Sequence, residues 1–303
     1  MNAVRAALGP DLCSVLSRAR DEPMTATASR VERWLIVEHR GAWGPESVPS
    51  SRMPTVVARS LAAQAAAARA RLLLVRRPAG VVSTDGRWVF AVESRPGLER
   101  TWARHVTVDA DLTHLDAAYG ETAPGWQAVT HPLYLVCTHG RNDRCCALRG
   151  RPVARTLGQA RPEQVWESSH VGGDRFATNV VVLPSGLFLG AIESDDVVAV
   201  VTALEAGTLP AGHVRGRSSL PLPTQAAQQL AREATGRWGV DDLPPTLQES
   251  AGADAWRVVL GGGAPVEVVV RYDRRGDGQA HVLSCDDEPK VAPVFRLVSL
   301  TPA

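Results

Sequence analysis

Leu133-Tyr-Leu-Val-Cys-Thr-His-Gly-Arg-Asn-Asp-Arg-Cys-Cys146 is the segment that sets the expected architecture of this chain. Leu133–Val136 is a short apolar run that reads as a buried strand ending on Cys137. The loop Thr138 to Arg144 is polar and cannot be core. A helix candidate then runs from Cys146 to about Gln159. Further along, Gln164–Glu167 reads as another strand, and Asn179–Leu183 and Leu187–Ile192 as two more. Pro184-Ser185-Gly186 turns the chain between the last two, a hairpin signal. Ser194 is placed to cap a helix, with Asp195 and Asp196 in its first turn, that continues from Val197 to Leu204.

The order β-α-β-β-β-α over residues 125–210 is close to a thioredoxin-like plan, so the expected class is α/β. Residues 1–124 read as an N-terminal α/β lobe. Trp34–Glu38 is its first strand, the Ala-rich run Val56–Ala70 its helix, and Leu72–Val75 and Trp88–Val92 two further strands. Residues 211–303 read as a small α+β lobe. It has a helix at Thr224–Ala234 and a hairpin of Trp256–Leu260 and Val266–Arg271 joined through Gly261-Gly262-Gly263. Two short strands are expected at Val282–Cys285 and Val294–Val298.

Composition narrows the function. The 303 residues are 45% hydrophobic and 21% charged, with 33 Lys+Arg against 32 Asp+Glu, a net charge of +1. That excludes a disordered chain and a globally basic nucleic-acid binder. Five cysteines are too few, and odd in number, for an extracellular disulfide framework. No apolar run reaches the length of a membrane span. Met1 to Ala7 does not read as a secretory signal. A cytoplasmic, reducing compartment is the expectation. Lys290 is the only lysine, an Arg and Ala bias that reads as a GC-rich coding genome.

Three cysteines, Cys137, Cys145 and Cys146, flank the polar loop. A thiol at a strand's C-terminal end and another at a helix N-terminus is where α/β folds place reactive groups, and the helix terminus favours the thiolate. Downstream, His170 is followed by Val171-Gly172-Gly173-Asp174. A Gly-Gly pair admits close approach of the backbone to a bulky group. Together with His139, these residues have the donor types of a transition-metal site. There is no Cys-x-x-Cys pair, so neither a zinc ribbon nor a thioredoxin dithiol is indicated. Cys13 and Cys285 read as small buried hydrophobes.

The run Cys137 to Cys146, together with Ser169-His-Val-Gly-Gly-Asp-Arg-Phe-Ala-Thr-Asn179, resembles the sucrase/ferredoxin-like family, whose members carry a thioredoxin-like ferredoxin domain. Leu12-Cys13-Ser14 and Trp34 to Gly44 are similar to its usual opening. Arg215-Gly-Arg217 and Leu283-Ser-Cys285 match more loosely. The resemblance implies a [2Fe–2S] cluster. In eukaryotic relatives it is held by two cysteines nine residues apart and two histidines four apart. Cys137, Cys146 and His170 carry over as ligands, and Asp174 stands where the second histidine would be. Cys145 and His139 are alternates, and Asp174 could instead pair with Arg175 or Arg144. A carboxylate in place of an imidazole returns a negative charge, which implies a lower potential than in a bis-histidine relative.

The resulting expectation is a soluble iron–sulfur redox protein that works with a partner protein and binds neither nucleic acid nor membrane. Five arginines and one aspartate between Cys137 and Arg155 would suit an acidic partner. Two other readings compete. One is a metal-free thiol redox enzyme or sensor using Cys137 and Cys145/Cys146; the other is a structural zinc protein. No motif pairs two carboxylates for glycoside hydrolysis, and no dinucleotide or triphosphate loop is present.

Overall fold

The computed structural model describes residues 9, 11–81, 85–117, 119 and 123–303. Met1 to Ala7, the stretch without signal character, lies outside the described residues. The chain is mixed α/β, as expected, and its largest element is a ten-stranded sheet.

A short helix, α1 (Cys13–Ala19), opens the described chain. The first half of the sheet follows: β1 (Arg33–Glu38), α2 (Thr55–Ala67), β2 (Ala70–Arg76), β3 (Arg87–Glu93), β4 (Arg100–Val106) and β5 (Gln127–Val129). The second half is β6 (Leu133–Cys137), α3 (Arg144–Ala160), β7 (Val165–Ser168), β8 (Val180–Leu183), β9 (Leu187–Leu189), α4 (Val197–Glu205) and β10 (Val214–Arg217). Strand order is β10-β9-β8-β6-β7-β2-β1-β3-β4-β5.

The two halves repeat one pattern. In each, the first strand pairs parallel with the strand after the helix and antiparallel with the third, which pairs antiparallel with the fourth. They meet where β2 pairs antiparallel with β7, Val75 opposite Ser168 and Arg76 opposite Glu167. The backbone N–H groups of His39 and Thr138 bond the carbonyls of Val75 and Ser168 respectively. Glu38 therefore occupies, in the first half, the position that Cys137 occupies in the second. The sheet runs without a break across the 124/125 boundary expected from the sequence.

Alternation along the strands explains the cores. Trp34, Ile36, Leu73, Val75, Phe90, Leu133, Leu135, Trp166 and Val181 form one apolar layer spanning both halves. The intervening residues form two separate cores. Leu35, Val37 and Leu74 meet Leu61 of α2; Tyr134, Val136 and Val165 meet Val153 and Leu157 of α3.

The C-terminal residues form α5 (Leu222–Thr235), β11 (Pro245–Gly252), β12 (Ala255–Leu260), β13 (Val266–Asp273), β14 (Ala280–His281), β15 (Lys290–Val291) and β16 (Val294–Pro302). A four-stranded antiparallel sheet, β11-β12-β13-β16, packs Val258, Val268 and Val270 against Ala227 and Ala231 of α5.

Several local expectations are corrected. Val282–Cys285 is a turn rather than a strand, because its backbone and side chains bond Asp143 instead of a ladder. The α4 region begins with a 3-10 turn at Ser194–Asp196, capped by Glu193 rather than Ser194: its N–H donates to Asp196 Oδ2 at 2.8 Å. β4, β5, β10, β11, β14 and β15 have no counterpart among the strands expected from the sequence.

Candidate metal centre

The centre is assembled at one end of β6. Cys137 is its last residue, fully buried. The polar loop then turns into α3, whose N-cap is Asp143: its carboxylate accepts the Cys145 N–H at 2.7 Å. Cys146 sits in the first turn and is 1% exposed. Helix and strand lie so close that a Cβ at Gly150 would collide with the Cys137 carbonyl. From the neighbouring strand β7, the Ser169–Asp174 loop brings in His170. The Cys137 Sγ, Cys146 Sγ and a ring nitrogen of His170 all lie within 4.8 Å of one another. Asp174 Oδ1 is 3.2 Å from Cys146 Sγ and 3.2 Å from His170 Nδ1.

These donors suit a metal. His170 Nδ1 is buried and, despite its closeness to Asp174, makes no hydrogen bond of good geometry. A buried imidazole nitrogen without a hydrogen-bond partner, 3.2 Å from a carboxylate oxygen and on a ring that approaches two thiols, suits a ligand set. The hydrogen bond from Cys146 draws the Cys137 thiol well below its usual range, and that thiolate raises Cys146. Burial alone would lower the His170 imidazole, but Asp174 and Cys137 override it and push it up to about 10. Burial would raise Asp174, and His170 holds it low instead.

The loop's glycines have a structural reason. Gly172 and Gly173 adopt φ of 96° and 84°, the left-handed region that disfavours side chains. The bulky neighbour is Arg215: a Cβ at Gly173 would strike its guanidinium. Arg215 is 2% exposed. It donates to Gly172 O at 2.9 Å, Asn179 Oδ1 at 2.7 Å, and Thr27 O at 2.5 Å. Burial pushes its pKa down to about 9, so it remains cationic at neutral pH behind the thiol group.

The alternates fall elsewhere. His139 Nε2 donates to Gly44 O at 2.8 Å, and its Nδ1 accepts the His170 N–H at 3.3 Å. Both ring nitrogens are thus engaged, and the residue positions His170. Arg175 pairs with Glu22 at 2.5 Å rather than with Asp174. Of the five arginines around the loop, Arg149 is buried, while Arg141, Arg144, Arg151 and Arg155 are exposed.

Cys145 points the other way, into a second sulfur group. Its Sγ is 3.5 Å from Cys13 Sγ and 3.4 Å from Cys285 Sγ, and those two are 3.6 Å apart. Cys13 is buried as expected, yet neither it nor Cys285 is merely apolar filling. The partners are 132, 140 and 272 residues apart, so no local spacing signals the group. All five cysteines are free.

The sucrase/ferredoxin-like family model matches residues 24–216. "Altered inheritance of mitochondria protein 32" of Meyerozyma guilliermondii is 30% identical over 101 residues, 30% of this chain. The chain spans only about a third of that relative, 36% of its length. The thioredoxin-like [2Fe-2S] ferredoxin of Aquifex aeolicus overlays 31% of this chain and 97% of its own, at 20% identity and a TM-score of 0.27. A cysteine-to-serine variant of it overlays 29% of this chain and 100% of its own, with a TM-score of 0.26. No helix among the described residues is long and apolar enough to cross a membrane.

Proposed function

The chain belongs to the sucrase/ferredoxin-like family, and we propose that it is an iron–sulfur redox protein. Its [2Fe–2S] cluster would be held by Cys137, Cys146, His170 and Asp174, with residues 125–210 as the thioredoxin-like ferredoxin unit. The observation that carries this reading is the convergence of the Cys137, Cys146 and His170 donors, from a strand end, a helix start and a loop, within 4.8 Å. When bound, such a cluster supplies one-electron transfer at a potential set by its ligands and surroundings.

The protein's own residues have definable parts in this. Cys137 and Cys146 present their sulfurs from a rigid strand end and a capped helix start. His139 fixes the His170 backbone through the His170 N–H. Arg215 places a buried cation behind the ligands and offsets their negative charge. Asp174 supplies a carboxylate, a harder donor than imidazole. The exposed Arg141, Arg144, Arg151 and Arg155 around the loop would steer an acidic redox partner. Working in the cytoplasm, where thiols stay reduced, agrees with five free cysteines.

The test is an iron and sulfide assay on protein purified without oxygen, with a visible spectrum and EPR after reduction. The expected result is about two irons and two sulfides per chain, lost in Cys137→Ser and in His170→Ala. The variant Asp174→His should keep the iron and raise the potential. A colourless protein that takes up no iron on reconstitution would overturn the reading.

A further inference from the structure

We propose that Cys13, Cys145 and Cys285 form a second metal centre, apart from the Cys137–Cys146–His170 group, that takes a single thiophilic divalent ion of the zinc type with Asp143 as fourth donor.

The case is geometric. A tetrahedral ion with metal–sulfur bonds of about 2.3 Å sets its thiolates about 3.8 Å apart. The three sulfurs lie 3.5, 3.4 and 3.6 Å from one another, a near-equilateral triangle that needs only slight opening. A carboxylate oxygen on the same ion would stand about 3.6 Å from each sulfur. Asp143 Oδ2 and Oδ1 are 3.7 and 3.9 Å from Cys13 Sγ. One acceptor position of the Asp143 carboxylate is held only by the Cys13 thiol, whose proton leaves when a metal binds. Oδ1 accepts the Cys145 N–H at 2.7 Å, and Oδ2 accepts the Cys285 N–H at 2.7 Å and the Ser284 Oγ–H at 3.0 Å. Of the roughly four acceptor positions of a carboxylate, the second on Oδ1 faces only the Cys13 thiol. The four donor atoms lie within 4.8 Å of one another.

The surroundings are built for thiolates. Ser14 Oγ donates to Cys145 Sγ at 3.1 Å, and Arg149 Nε donates to Ser14 Oγ at 2.7 Å. Arg149, itself paired with Glu193 at 2.7 Å, thereby orients the hydroxyl that donates to the sulfur, and the start of α3 adds positive potential. A disulfide would use two of the sulfurs and leave the third idle, whereas one ion uses all three. Soft thiolates select zinc-type ions over magnesium or calcium. On binding, each thiol gives its proton to solvent as its sulfur–metal bond forms. The two centres adjoin at Asp143, whose carboxylate also lies within 4.8 Å of Cys146 and Asp174 donors, but they share no sulfur.

The test uses the full chain, stripped of metal by a chelator and kept reduced, titrated with Co²⁺ and then Zn²⁺. The expected result is a thiolate-to-cobalt charge-transfer band that saturates at about one ion per triad, bleached by Zn²⁺. Cys285→Ser and Cys13→Ser should lose that band while keeping the iron and sulfide content of the parent protein. Cys137→Ser should do the reverse. Cys285 is half-buried, so its replacement is the gentler variant. Alkylation mapped by mass spectrometry reads the site without mutation, and Zn²⁺ should slow modification of all three cysteines at least tenfold. Unchanged cobalt binding in both serine variants would overturn the proposal. So would loss of iron and sulfide in Cys285→Ser, which would make the triad part of the cluster. A parent without iron that still binds cobalt through the triad would sink the cluster reading and leave this one standing.

Discussion

Gly173 shows how a single residue carries both backbone and charge. Its φ of 84° and the Arg215 guanidinium against its α-carbon leave no room for a methyl group. Gly173→Ala should therefore destabilise the protein by roughly 1–3 kcal/mol, read as a lower denaturant midpoint at unchanged slope. The His-x-Gly-Gly-Asp stretch announces a tight backbone approach, but not its object, since Arg215 lies some forty residues downstream. His39 offers a pH-dependent counterpart. It is 4% exposed, and neither ring nitrogen has a hydrogen-bond partner. Burial lowers its pKa from 6.5, and the Arg87 charge adds to that. A depressed folded-state pKa means that the unfolded chain binds the proton more tightly. The stability tied to neutral His39 is thus present above about pH 6.5 and is lost as pH falls through the lower folded value. In His39→Leu the decline in urea midpoint on acidification should become shallower; an unchanged decline would assign the acid sensitivity to other groups.

Among the elements, α3 is the piece on which both sulfur groups depend, and it runs through Pro152. Proline there lacks the N–H that would bond the carbonyl of Leu148, and its ring crowds that carbonyl. Apolar residues at Cys146, Val153 and Leu157 hold the helix in spite of it, because they bury a continuous face. Pro152→Ala should raise stability by up to about 3 kcal/mol, seen as a higher thermal midpoint with no change in metal content. Elements with a continuous buried face are legible in the sequence: β1, β6, α2 and the β12–β13 hairpin all follow the apolar pattern. The elements that escape such a reading lack it. β11 reads Pro-Thr-Leu-Gln-Glu-Ser-Ala-Gly, almost wholly exposed at a sheet edge, and β4 carries Arg100, Arg104 and His105 among its apolar residues. Pairing, not side-chain alternation, makes them strands. Val282–Cys285 departs in the opposite direction. Its apolar start suggests a strand, but Asp143 holds it as a turn that delivers Cys285 to Cys145. The position of a thiol set by tertiary contact leaves no local mark in the sequence.

For the whole molecule, the decisive junction is the two-residue ladder between β2 and β7. So short a ladder would be a weak hinge on its own. It is reinforced by Ser169, whose N–H donates to Leu74 O at 2.8 Å while its Oγ accepts the Leu74 N–H at 3.1 Å. Arg76 also pairs with Glu167 across it at 2.8 Å. Above all, one apolar layer crosses the junction. Trp166 is its pivot: 1% exposed, it stands edge-on to Phe90 of the first half at 5.4 Å, and the Arg77 guanidinium lies 3.7 Å over its ring. If the halves are one cooperative unit, loss of that indole is felt on both sides of the 124/125 boundary. Trp166→Ala should cost about 3–5 kcal/mol. Hydrogen exchange should then lose protection in β1–β3 as much as in β6–β8, with a single unfolding transition. Protection lost in β6–β8 alone, with β1–β3 unchanged, would instead make the halves separate domains that merely share an edge. The metal ligands would then answer only to the second of them.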